Sequence, residues 1–423
     1  MVALVERLAP LIARGVVLDL AAMRAALAAL GDPQARLPAV HVAGTNGKGS
    51  VSAMVDAVLR AAGQRVGRYT SPHLHRFVER IAVDGEPVDE ALAQAQCDRL
   101  LDLMASGAIP TLTFFEAATA LGWMCFESAG VERVVLEVGL GGRLDATSVC
   151  APDVTVITGI ALDHQGYLGD TLAAIAAEKA GILKPEVPCV LGPRLGAASE
   201  ARAAIEAVAR RVGAPLIDAR PARVVSVDAA TTSLEVRFAG EPLPVAIHLA
   251  GAYQVENVAT AAAVLDRLRS VDPAIDADAV RAGLAAARWP GRMERIGDVI
   301  LDGGHNLDGV AALCASPGLP PIAAVVFGAS SDKPWAAMLG LLAGAFPGAR
   351  RFYAAAPLPR AVAPEAMRAE RDGTACGSPE DALAAARAAA GAQGAVLACG
   401  SLYLVAAVRA RLLGLVNDPP VGM

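Results

Sequence analysis

Short apolar runs recur along the first part of the chain, and between them apolar residues return at three- and four-residue spacing. The runs predict strands at 38–43, 66–70, 133–138, 154–158 and 188–191. The longer period predicts helices over 48–62, 88–105, 114–129 and 171–183. Alternating strands and helices imply a parallel sheet covered on both faces. The pattern changes at 223–250, where VVSVDA and LEVRFAG flank Thr231-Thr232 and read as a hairpin meander. Helices are predicted after it at 253–269 and 276–287. Arg288-Trp289-Pro290-Gly291 then breaks the helical pattern, and VILDGG opens a second alternation. Its strands are expected at 322–328, 351–356 and 395–399, and its helices at 334–345, 379–390 and 401–414. The expected organisation is a larger α/β domain over 1–288 and a smaller one over 289–423.

Composition narrows the class. Of 423 residues 54% are hydrophobic and 19% charged, enough to bury a large core, which excludes intrinsic disorder. The net charge of −6, with no basic run, argues against nucleic acid or an anionic membrane as the main partner. Of 37 basic residues only four are lysine: Lys48, Lys179, Lys184 and Lys333. With 93 alanines, this fits a GC-rich coding sequence that replaces Lys by Arg wherever any cation serves. The remaining lysines therefore point to places where a compact, titratable amine is needed. Seven scattered cysteines without C-x-x-C fit a reducing compartment. Arg7, Arg14, Asp19 and Arg24 interrupt any secretory signal, and the uncharged windows 309–331 and 388–408 carry prolines or a Cys-Gly-Ser break. The expected location is the cytoplasm.

Candidate chemistry begins at residues 38–59. A strand runs into Gly44-Thr45-Asn46-Gly47-Lys48-Gly49-Ser50 and then into a helix. Three glycines let backbone N–H groups curl around phosphate oxygens, Lys48 can reach the β/γ-phosphates, and Ser50 can hold Mg²⁺. The spacing departs from the usual G-x-x-x-x-G-K-[ST], and a turn without ligand is the plainer alternative. Glu137 closes the strand VVLEVG, where an open α/β sheet places its ligand, although a solvated strand end looks the same. Gly139–Gly142 is not a dinucleotide fingerprint, because position 144 is Leu. Thr113-Phe114-Phe115-Glu116 offers two aromatic faces beside a hydroxyl and a carboxylate, or two buried core rings. Arg143-Leu144-Asp145 follows the glycine turn. Arg76 and Arg80 lie near His73 and His75 and either attract a carboxylate or form a solvated loop. Asn257 sits at the polar start of a helix, and Lys184 reads as a helix-end cation.

Taken together, GTNGKGS, YTSPHL (69–74), ERI (79–81), TFFEAATALG (113–122), LEVGLGGRLDAT (136–147), LDHQGYLGDT (162–171), EKAGILK (178–184), WPGR (289–292) and LDGGHN (301–306) resemble, in order, the folylpolyglutamate synthase/dihydrofolate synthase branch of the Mur ligases. The resemblance implies an N-terminal P-loop ATPase domain with a mostly parallel sheet and a C-terminal Rossmann-like α/β domain. It implies Ser50, Ser71, Glu137 and His164 as ligands of Mg²⁺, two ions by expectation, with K⁺ as a further cation. It implies a carbamylated Lys179; catalytic roles for Lys48, His164 and Lys179; and nucleotide contacts from the loop, Asn257, Arg292, Asp302 and His305. It places Thr113, Phe114, Phe115, Glu116, Arg143, Leu144 and Asp145 at a pteroate site. Lys333 falls in a family Asp-Lys of unassigned role.

The implied reaction is ATP-dependent addition of L-glutamate to dihydropteroate, to reduced folates, or to both. A carboxylate is activated as an acyl phosphate and then attacked by an amine. TFFE and RLDAT favour dihydropteroate use, hence a bifunctional enzyme, most simply a monomer without nucleic-acid or membrane partners; a monofunctional folylpolyglutamate synthase is the alternative. A peptidoglycan Mur ligase would need a nucleotide-sugar domain before a loop that here opens at Gly44. A nucleotide switch would leave Lys179 and the C-terminal motifs unexplained.

Overall fold

The computed structural model describes residues 3–196, 199–228, 231–391 and 394–419. Eight strands form the first sheet: β1 (Ala39–Ala43), β2 (Val66–Tyr69), β3 (Ile81–Val83), β4 (Glu86–Pro87), β5 (Arg133–Glu137), β6 (Pro152–Ile157), β7 (Cys189–Leu191) and β8 (Leu216–Asp218). Their order is β4-β3-β2-β5-β1-β6-β7-β8, and the run from β2 to β8 is parallel. β1 and β5 are buried along their whole length, as central parallel strands must be, and their carboxyl ends lie side by side with Val42 paired to Glu137. Helices Lys48–Ala61 and Phe114–Ala129 pack into separate hydrophobic cores.

The meander is a three-stranded antiparallel sheet of β9 (Arg223–Val227), β10 (Thr232–Phe238) and β11 (Glu241–Ile247), in the order β11-β10-β9. Residues 229–230, within that expected meander, lie outside the described residues. Helices Ala252–Leu268 and Ala277–Ala286 follow. The third sheet contains β12 (Glu294–Ile296), β13 (Val299–Asp302), β14 (Ile322–Phe327), β15 (Arg350–Tyr353), β16 (Thr374–Ala375) and β17 (Ala395–Cys399), in the order β12-β13-β17-β14-β15-β16. All neighbours are parallel except β12 with β13.

Some boundaries differ from the expected ones. The strand expected at 351–356 ends at Tyr353, whose carbonyl accepts from Cys376 just past β16. The helix expected to reach 183 is α-helical only to Lys179 and tightens into a 3₁₀ turn over Ala180–Ile182. Helix Glu200–Val212 has no counterpart in the expected pattern. Its buried face is Ala201, Ile205, Val208 and Ala209, and the alanines blur the period. β8, with three residues, is too short for alternation to register. The described residues of the two uncharged windows fold as strands, helices and the turns between them. Among the described residues no helix is long and apolar enough to cross a membrane.

Candidate active site

β1 delivers the chain into a turn pinned from below. Thr45 N donates to Gly159 O at 2.8 Å, and Thr158 Oγ1 donates to Asn46 O at 2.6 Å. Gly47 turns at φ +89°, and helix Lys48–Ala61 starts at once. Among the described residues no acceptor takes the N–H groups of Asn46, Gly47, Lys48, Gly49 or Ser50. Five consecutive donors at a helix N-terminus form an anion-binding concavity. Lys48 folds over it, with Nζ donating to the carbonyls of Gly44 and Thr45 at 3.2 Å each and standing 3.9 Å from Glu137 Oε1.

The far side of the loop is closed by two later segments. A Cβ on Gly47 would lie 2.4 Å from Asn257 Oδ1, so the asparagine sits directly against the turn. Asn257 Nδ2 donates to Gln254 Oε1 at 2.9 Å, and Gln254 Nε2 donates to Ser50 Oγ at 3.3 Å. A Cβ on Gly49 would fall 2.6 Å from the ring of Trp289, which also lies under the Arg68 guanidinium at 5.2 Å. The linker tryptophan thus rests on the phosphate loop.

At the end of β5, Glu137 is buried and accepts from Ser71 N at 3.3 Å. Burial pushes its carboxyl up from the ordinary value, opposed by Lys48 and, more weakly, by Arg292 and Arg68. The glycine turn that follows is filled from within. Asp145 Oδ2 accepts from Gly139 N at 3.0 Å and Leu140 N at 2.9 Å, and Oδ1 accepts from Thr147 N at 3.0 Å and Thr147 Oγ1 at 2.5 Å. The phenyl ring of Phe115 lies against Gly139 and meets Tyr69 edge-on at 6.3 Å. Of the TFFE stretch, Phe115 is the residue left partly open. Thr113 and Glu116 bond reciprocally as a capping box for helix Phe114–Ala129, and Phe114 is core against Phe77.

Lys179, at the C-terminus of its helix, is buried and donates to Gly44 O at 2.9 Å, the same carbonyl that Lys48 reaches. Burial and then Lys48 lower its amine to about 7. Arg143 pairs with the neighbouring Glu178 at 2.9 Å, and Leu144 is half-buried between Arg143 and Asp145. Lys184 donates to Ser148 O at 2.9 Å, at the end of the short 3₁₀ turn Ala146–Val149, so it serves that turn and not the helix preceding it.

The C-terminal α/β region closes the site. Lys333 pairs with Asp163, whose Oδ2 also accepts from Asn306 Nδ2 at 3.0 Å and lies 3.8 Å from His305 Nε2. Burial opposes the charge of Asp163, but His164, His305 and Lys333 outweigh it and hold the carboxyl well below the usual range. His164, with φ +52°, is partly exposed beside it and lowered to about 4 by burial. Asn46 of the phosphate loop donates to Asn306 Oδ1 at 3.2 Å and to Asp308 Oδ2 at 2.9 Å, and Arg194 meets Asp308 at 2.9 Å. Asp302 is buried and accepts from Tyr253 Oη at 2.6 Å, Met293 N at 3.1 Å and Gly304 N at 2.8 Å. A Cβ on Gly303 would lie 2.9 Å from Arg292 Nη1, so the guanidinium sits against the turn that follows Asp302. Asp163, Asn306, Asp308 and Tyr253 were not singled out from the sequence, although Asp163 and Asn306 lie inside the LDHQ and GGHN motifs.

Two family models match separate stretches of the chain. Residues 111–265 match the Mur ligase middle domain, and residues 291–402 match the Mur ligase glutamate ligase domain. The chain is 37% identical to folylpolyglutamate synthase of Lacticaseibacillus casei, over 92% of this chain and 93% of that protein. It is 34% identical to dihydrofolate synthase/folylpolyglutamate synthase of Bacillus subtilis, over 94% and 96%. It is also 38% identical over 92% of its length to a probable bifunctional folylpolyglutamate synthase/dihydropteroate synthase of Haloferax volcanii, but spans about half (47%) of that longer protein. Among solved structures, Escherichia coli FolC in complex with DHPP and ADP superposes with a TM-score of 0.83 at 34% identity, covering 97% of each chain. The chain belongs to the folylpolyglutamate synthase/dihydrofolate synthase branch of the Mur ligases and is an ATP-dependent ligase.

Proposed function

We propose that this ligase adds L-glutamate both to dihydropteroate and to the glutamate tail of reduced folates. Residues 1–288 would form the nucleotide-binding domain and residues 289–423 the ligase domain. The observation that carries the reading is the run of unpaired N–H groups from Asn46 to Ser50, with Lys48 folded over it beside the buried Glu137. The loop binds the ATP phosphates. Lys48 neutralises the γ-phosphoryl group as it passes to the substrate carboxylate, forming the acyl phosphate and ADP. The free amine of glutamate then attacks the acyl carbon, the C–N bond forms, and inorganic phosphate leaves. Asn257, Arg292, Asp302 and His305 are assigned to the nucleotide side. Asp302 acts by ordering the linker, since its oxygens are occupied by Tyr253, Met293 and Gly304. Phe115, with Arg143, Leu144 and the turn that Asp145 orders, forms the pteroate side. The FolC complex, which holds DHPP together with ADP, supports that second substrate.

A magnesium ion fits these residues. Glu137 is a buried carboxylate that accepts from one backbone N–H and has Lys48 3.9 Å away, and the hydroxyls of Ser50 and Ser71 and the imidazole of His164 are assigned to the same ion or a second one. Among the described residues no three His, Cys, Asp or Glu gather into a metal cluster, so phosphate oxygens and water would share the coordination, as magnesium prefers. When bound, it neutralises charge on the phosphate chain. Lys179 has the chemistry for carbamylation. Its burial and lowered basicity supply the neutral amine that attacks CO₂, and the product places an anion on the loop at Gly44. The test is ADP release measured with ATP alone and with glutamate, dihydropteroate and tetrahydrofolate added singly and in pairs. Release requires glutamate together with either pterin substrate. Release that ignores both would overturn the ligase reading, and release with tetrahydrofolate only would leave a monofunctional enzyme.

A further inference from the structure

The loop from Ser71 to Arg80 joins two parts of the proposed site. Ser71 N donates to Glu137, and at the other end the fully buried Arg80 donates to His73 Nδ1 at 2.9 Å and lies beside Tyr69, the ring that meets Phe115 edge-on at 6.3 Å. Between them the backbone is curled around Glu79, whose carboxylate accepts from Leu74 N at 2.9 Å, His75 N at 3.1 Å and Arg76 N at 2.9 Å. That internal knot fixes the shape of the loop. It does not fix where the loop sits.

Phe77 and Val78 anchor it in the first core and Arg76 pairs with Glu90 at 2.7 Å, and the end of the chain adds a further set of bonds to it. Helix Leu402–Leu413 stops at Gly414, and residues 415–418 run back over the loop. Asp418 N donates to His75 O at 2.7 Å, and Phe77 N donates to Asp418 Oδ2 at 2.6 Å. His75 Nδ1 and Asn417 Oδ1 are 2.6 Å apart, while Arg409 Nη1 donates to His75 Nε2 at 2.9 Å. A guanidinium only donates, so one tautomer satisfies both contacts: Nε2 accepts and Nδ1–H donates to Asn417. Arg409 is in turn held by Glu294 at 2.9 Å, and the same carboxylate accepts from Gly291 N in the linker at 2.8 Å. Apolar burial does not hold these residues down: Leu415 and Val416 are 42% and 78% exposed. The path of the tail is set by directional polar bonds, most of them to one loop.

We infer that residues 415–418 are a strap that seats loop 71–80 in its working position, and that Arg409, Asn417 and Asp418 are positioning residues for the carboxylate-substrate side of the site. They touch no reacting atom and act through Ser71 and Arg80. The assignment of that side to a pterin substrate rests on the function proposed above. The strap itself does not.

The test is hydrogen exchange and steady-state kinetics on the full-length double variant Asn417→Ala/Asp418→Ala, whose changes lie in the half-exposed to exposed tail. The exchangeable amides within 72–80 should exchange roughly tenfold faster or more, while those of helix 114–129 and of the phosphate loop hold their rates. KM for dihydropteroate should rise about fivefold to twentyfold with KM for ATP unchanged. Asp418→Asn alone should keep most of the protection, because its amide oxygen still accepts from Phe77 N. Unchanged exchange over 72–80 would overturn the inference. So would equal acceleration in helix 114–129, which would mean general loosening, or faster loop exchange with an unchanged KM. Exchange is read without substrate, so a wild-type enzyme inert toward pterins would sink the substrate assignment and leave the strap to stand or fall on its own result.

Discussion

Two glycine-rich turns lie at the carboxyl ends of the adjacent strands β1 and β5, and they are built for opposite ends. In Gly44–Ser50 the N–H groups of five successive residues find no acceptor among the described residues. In Gly139–Asp145 the chain supplies its own anion, and the Asp145 carboxylate takes the N–H groups of Gly139, Leu140 and Thr147. Loop 74–76 repeats the second solution with Glu79. Glycine content is therefore a poor guide to ligand binding. An open nest awaits an anion from outside, whereas a filled nest is a rigid shelf on which neighbouring side chains can be held, here Phe115 over Gly139.

The contrast can be broken most severely at the open turn. Lys48→Ala should lower turnover about a thousandfold or more, and Lys48→Arg should lose most of it, since a planar fork cannot occupy the space between two carbonyls. Rapid-quench measurement of ADP formation checks both. Gly47→Ala should weaken ADP binding roughly tenfold to a hundredfold in calorimetry, because it needs φ +89° and a methyl 2.4 Å from Asn257 Oδ1.

Lys179→Arg should cost about a hundredfold in turnover, and added CO₂ should not restore it. In the parent enzyme the neutral fraction of Lys179 grows as pH rises through about 7, so CO₂-dependent activity should rise over that interval. The same residue makes a signed contribution to stability. Its amine sits at about 7 in the folded chain against the ordinary 10.5, so the unfolded chain binds the extra proton and stability gains with pH across that span. A pH-independent rate from 6 to 8 would count against the carbamate.

The filled turn should respond more mildly. Asp145→Asn leaves backbone donors facing an amide and should cost about 2 kcal/mol in urea unfolding. It should raise KM for dihydropteroate and leave ADP affinity alone. Lys184→Arg should change turnover less than about twofold, because one carbonyl is all it serves.

Much of this was legible in the chain. The strand–glycine–lysine–helix order at 38–59 located the open nest, and the scarcity of lysine marked Lys48 and Lys179. The lysines proved an imperfect filter, since Lys184 serves only a turn, while Lys333 pairs across the cleft with Asp163. What stayed hidden has a common physical form. Asp163, Asn306, Asp308 and Tyr253 owe their roles to partners up to 262 positions away, and a single sequence carries no record of such pairs. Thr113 and Glu116 show the converse: their three-residue spacing is also the requirement for capping a helix, and that is how the fold uses them.

Trp289 is one of three tryptophans, and its indole rests on Gly49 of the phosphate loop with the Arg68 charge 5.2 Å from the ring. An indole emits according to the charges and water around it, so the linker doubles as an optical gauge of the nucleotide loop. Trp123 is buried in the core of the first region and would contribute a steady background. With Trp335 replaced by Phe, nucleotide arrival at the loop could be followed in real time by intrinsic fluorescence, with no label and no coupled assay.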